Sequence, residues 1–140
     1  MDRITTAHTR LAQANGLPGI LDAAYDAFEA MLPVIHGQQN PASGAFVAFV
    51  IAAAYAANGR DAVGRAPSLP PVAPRPVPAD APEPVAARDT AIALADLSEL
   101  LGRRLGDAAR TASPADKAAC AEAAREADRL WSLLTRTAGP

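Results

Sequence analysis

The chain has 140 residues, half of them apolar but only 4% aromatic, and a formal net charge of −2. That balance gives no basic face for nucleic acid, and one cysteine excludes an internal disulfide. Much of the apolar content is alanine, so the core must be thin and closely packed to offset a backbone entropy cost of roughly 1–2 kcal/mol per residue. Twelve arginines against one lysine reflect coding bias and carry no functional weight.

The first expected helix, about Asp2 to Ala14, sets Ile4, Ala7, Leu11 and Ala14 on one face, and Asn15-Gly16 reads as its stop. His8 falls on its surface or edge. The second opens near Pro18 and carries Leu21, Ala24, Tyr25, Phe28, Met31 and Leu32 as an apolar stripe, with Pro33 expected to end or kink it. The opposite face holds Asp22, Asp26 and Glu29 at i, i+4 and i+7. With His36 in the following loop, this row is the candidate ligand or metal set, because carboxylates on one helical face ligate a divalent cation if a second helix answers them. The third helix offers no answering ligand and there is no Glu-x-x-His pattern, so the row also reads as an ordinary solvated face near a helix N-terminus. No serine, cysteine or carboxylate neighbours His36 in sequence to make it a general base, and the catalytic residues stay unassigned.

The third expected helix starts at an Asn40 cap with Pro41 in its first turn, and closes at Asn58-Gly59. From Ala45 to Ala57 it has no charged side chain. A membrane span needs about 20 apolar residues, and thirteen with caps just outside are too few, so a membrane association through residues 44–57 stands only as an alternative. At about 100° per residue, Phe46, Val47, Phe49, Val50, Ile51 and Tyr55 sweep roughly two-thirds of the circumference. Ala45, Ala48, Ala52 and Ala56 form the remaining strip. A helix apolar on all sides is expected to be buried on all sides, with its alanine strip against a close neighbour.

Gly59-Arg60-Asp61-Ala62-Val63-Gly64-Arg65-Ala66 echoes a phosphate-binding loop but lacks its terminal lysine and Ser/Thr and follows a helix rather than a strand, so it is rejected. Pro67 to Pro84 holds eight prolines in eighteen residues, which excludes helix and central strand and predicts an extended tether. Its PxxP spacings, Pro67–Pro70 and Pro71–Pro74 with Arg75 beside the second, fit a groove-binding ligand only loosely, and a passive spacer is the plainer reading.

Residues 86–109 form the next expected helix, with Ala87, Ala91, Leu94, Leu97, Leu101, Leu105 and Ala108 in line. Ser113-Pro114-Ala115-Asp116 opens the last, which runs to about Thr135 with Ala119, Ala123, Ala127, Leu130 and Leu134 in line. The short joint predicts an antiparallel hairpin. Cys120 reads as a small buried thiol. Trp131 reads as a packing anchor that would mark an interface if exposed.

The expectation is an all-α bundle of four to five helices: residues 1–66 as a three-helix segment, 67–85 as the tether and 86–140 as a hairpin packed on the first segment. No reaction signature stands out and no cofactor is indicated. The functional expectation is a cytoplasmic, non-enzymatic interaction or adaptor protein whose partner is protein, including itself. Its helix-packing or interface residues would be Ala45, Ala48, Ala52 and Ala56 with Ala119, Ala123, Ala127 and Trp131. A small metal- or ligand-binding bundle built on Asp22, Asp26, Glu29 and His36 is the other alternative.

Overall fold

The computed structural model describes residues 2–71 and 85–139, so most of the proline-rich tether, with Pro74 and Arg75, lies outside the described residues. Five helices account for the described chain and no strand occurs among those residues: α1 Asp2–Gln13, α2 Gly16–Gly37, α3 Phe46–Gly64, α4 Ala87–Ala109 and α5 Pro114–Ala138. The protein is all-α.

The apolar periodicity sets the inner face of each helix. Ile4, Ala7 and Leu11 of α1 are buried, and α4 turns Leu94, Leu97, Leu101 and Leu105 inward. Between α1 and α2 the chain reverses over two residues. Gly16 takes φ +72 there, a left-handed conformation that costs a side-chain-bearing residue strain. Helix α2 passes through Pro33 and continues to Gly37. Pro33 is exposed, while Ile35 beyond it is wholly buried, so the core contact of the last turn outweighs the lost backbone bond.

Helix α3 departs from its expected bounds at both ends. It begins at Phe46, because the side chains of Asn40 and Ser43 accept bonds from the Ala42 and Ala45 N–H groups (3.0 and 3.2 Å) and hold residues 40–45 in turns. It then runs through Asn58-Gly59 to Gly64. Gly59 is not a stop. It is where α3 comes close to α2: a Cβ there would stand 2.4 Å from the Phe28 ring.

The packing order is a ring. Helix α2 touches α3 and α4, α5 touches the same two, and α1 lies against α2 and α4. Arg65 pairs with Glu122 at 2.8 Å and Ser68 meets Asp116, so the end of α3 sits at the start of α5. Gln38 Nε2 donates to the Val85 carbonyl (2.9 Å) and to Thr90 Oγ1 (3.1 Å), which places the end of α2 at the start of α4. Arg88 Nε donates to the Ala138 carbonyl at 3.0 Å, bringing the end of α5 to the same place. Each pair of ring neighbours therefore runs antiparallel, α3 and α4 share a direction on the diagonal, and residues 71 and 85 lie at opposite ends of the bundle. Apolar residues from all five helices form one core.

Candidate functional site

The acidic row of α2 is already engaged. Arg10 of α1 reaches across with Nη2 donating to Asp22 Oδ2 at 2.7 Å and Nη1 to Asp26 Oδ2 at 2.9 Å. Glu29 faces Arg60 of α3 at 3.7 Å. His36 is exposed on the last turn of α2, fourteen residues and about 21 Å of helix from Asp22. Among the described residues no three His, Cys, Asp or Glu side chains gather where they could hold a metal ion.

At the end of the bundle where α5 begins, Asp116 ties the segment after α3 to the start of α5. Its carboxylate is buried. It accepts the Ser68 N–H at 3.0 Å, the Ser68 hydroxyl at 2.6 Å and the Ser113 hydroxyl at 3.0 Å. The Ser68 side-chain and backbone bonds hold the Asp116 carboxyl below its ordinary value, against an opposing effect of burial. Ser113 precedes α5 but caps no backbone N–H with its side chain; its hydroxyl is spent on Asp116. One turn on, Cys120 is fully buried and forms no disulfide. Burial, and secondarily the Asp116 charge, pushes its thiol up, away from the thiolate that redox or nucleophilic chemistry needs.

A second buried carboxylate sits midway along α5. Glu126 Oε1 accepts a 2.6 Å bond from Arg129 Nη1, while Oε2 is buried without a partner. Residue spacing along α5 does not mark Glu126 as buried, because its Arg129 partner stands on the same helix three residues on.

The small residues lie inside. Ala52, Ala56 and Gly59 of α3 and Ala119, Ala123 and Ala127 of α5 are buried, and α3 packs on α5. Ala45 and Ala48, nearer the start of α3, are half-buried. The bulky arc of α3 is divided: Phe49 is wholly buried and Phe46 and Tyr55 are half-buried, whereas Val47 is 65% exposed, Val50 43% and Ile51 38%. A helix apolar on all sides is thus covered on one side only. Two neighbours enclose about half of a helix, and the half they enclose is the one that lets backbones approach. The exposed positions Val47, Val50, Ile51, Ala54, Asn58 and Asp61 follow one line at helical spacing. Trp131 is exposed on α5 and Ile92 on α4. Helix α3 is long and apolar enough to cross a membrane by length and composition, with a third of it buried within the fold.

No protein-family model matches the chain, and no curated protein and no solved structure matches it. The surface of α3 therefore has to be read on its own chemistry.

Proposed function

We propose that this chain is a non-enzymatic helical interaction protein that associates with copies of itself in the cytoplasm. The carrying observation is the outward line of α3, uncharged from Val47 to Asn58, where Val47, Val50 and Ile51 stand exposed within five residues of one another. Single exposed apolar residues are normal on a soluble protein; several on one helical face mark a contact surface. The carboxylates and the thiol add nothing that argues for catalysis, since Asp22 and Asp26 are bonded to arginine and Cys120 is enclosed. Size-exclusion chromatography with light scattering, over a hundredfold range of concentration, tests the reading. A mass that rises above 14.3 kDa with concentration supports it. A strictly monomeric chain that also binds no apolar dye removes its basis.

The same line of residues supports a second reading, association with a membrane surface. Flotation with lipid vesicles separates the two, because a self-associating chain without lipid affinity stays at the bottom of the gradient.

A further inference from the structure

We propose that residues 67–71 form a strap that lifts from the start of α5 while the five helices stay packed, and that the Asp116 carboxylate is its latch. None of these residues lies on the outward face of α3, so the proposal stands apart from self-association.

Little besides one polar tie holds this segment down. Helix α3 ends at Gly64 and Ala66 is buried. Beyond it Pro67 and Pro71 are exposed, and Ser68, Leu69 and Pro70 are half-buried. The three prolines have no N–H to donate. Of the two amides that remain, Leu69 donates to the Ala66 carbonyl at 3.1 Å, a turn bond internal to the segment and its root. The Leu69 side chain rests on the core only in part. Ser68 makes the tie to another element. Its N–H donates to Asp116 Oδ1 at 3.0 Å and its hydroxyl to Oδ2 at 2.6 Å, so one strap residue engages both oxygens of a buried carboxylate. The Arg65–Glu122 pair just ahead of the strap is exposed on both sides, 57% and 47%, and adds little.

The latch is also built to let go. Enclosing a carboxylate without donors is costly, but Asp116 is the third residue of α5, two places after Pro114. A negative charge in the first turn of a helix is favoured by the unpaired N–H groups there. With the strap lifted, water replaces Ser68, and the Ser113 hydroxyl that bonds Asp116 at 3.0 Å belongs to the α5 side and stays. Both positions of the strap therefore leave the charge satisfied, which sets them close in free energy. Lifting adds five residues, about 15 Å of extended chain, to the connection between the two halves.

Amide hydrogen exchange of the full chain, followed residue by residue by NMR in water and in urea well below the unfolding midpoint, tests this. Wild type, Asp116→Ala and Asp116→Asn are compared, with circular dichroism confirming that each is folded. In wild type the Ser68 and Leu69 amides should exchange faster than those of Leu101 and Leu130 in the core. Their rates should barely respond to urea, as expected of an opening that exposes little surface, whereas the core rates climb. The deciding readout is Leu69, because its own acceptor on Ala66 is untouched by the substitutions. Asp116→Ala should speed it at least about tenfold, and Asp116→Asn, which keeps the shape and one acceptor, by less. A Leu69 amide that keeps its wild-type rate in Asp116→Ala while Ser68 speeds up overturns the latch, since only one bond has then been lost and the segment has not moved. Strap amides that exchange at the core rate with the core's urea dependence overturn the strap, because the segment then opens only with the bundle.

Discussion

Gly59 of α3 and Phe28 of α2 are in direct apposition: a Cβ built on Gly59 would lie 2.4 Å from Cε1 and 2.5 Å from Cζ of the ring. The pair sets how near the two helices come, because Phe28 is wholly buried and the ring has nowhere to retreat. A helix-interior glycine ordinarily costs about 1 kcal/mol relative to alanine. Here the contact it permits outweighs that cost.

Gly59→Ala should therefore destabilise the fold despite its better helix propensity. The expected loss is about 1–3 kcal/mol, the usual range for overpacking a filled core. Chemical denaturation measures it. Combining it with Phe28→Leu should recover part of the loss, as expected of residues in contact; additive effects would show that the two do not share the space.

The Asp116 carboxylate should make stability depend on acid. Its value in the folded chain lies below the ordinary 3.8, so its contribution is complete above that pH and is lost as pH falls toward and through the lowered value. Thermal unfolding of wild type and Asp116→Ala should differ by a constant amount near neutrality, and the gap should close below about pH 4. A gap that widens in acid would reverse the assignment.

Cys120 should be inert in the folded protein. Buried, with its thiol pushed up, it should react with an aromatic disulfide reagent only as fast as the bundle opens. Adding denaturant to the midpoint should accelerate labelling by several orders of magnitude. Fast stoichiometric labelling under native conditions would show that the region around Asp116 and Cys120 opens freely.

Glu126 should be a weak point. One of its oxygens is buried without a partner, and such a group carries a desolvation penalty of about 1–3 kcal/mol. Glu126→Met, similar in volume and without the charge, should raise the midpoint of thermal unfolding by a few degrees. A fall in that midpoint would mean that the Arg129 pairing is worth more than the orphaned oxygen costs.

All five helices were legible in the sequence because their apolar residues recur at three and four, and Leu94, Leu97, Leu101 and Leu105 are buried where the periodicity sets them. The bounds of α3 were not. Asn40 and Pro41 resemble a helix start, but the Asn40 and Ser43 side chains bond to nearby backbone and keep the chain in turns. Asn58-Gly59 resembles a stop because nothing local reveals Phe28 on another helix. Periodicity also groups Val47 with Ile51 and Ala52 with Ala56, yet when every side is apolar it does not say which side turns inward; the closeness of neighbouring backbones decides that. The acidic row shows the same limit. Asp22 and Asp26 share a face by spacing alone, whereas Arg10, which bonds to both, comes from a different helix.

The packing ring has a consequence for how the chain holds together. Helices α1 to α3 precede the proline-rich stretch and α4 and α5 follow it, yet the contacts of α5 with α3 and of α4 with α1 and α2 draw both groups into one core. The molecule is in effect a heterodimer whose two members happen to share a backbone. Severed between residues 72 and 84, its two fragments should find each other again as a bimolecular complex, their assembly governed by concentration instead of by a covalent leash.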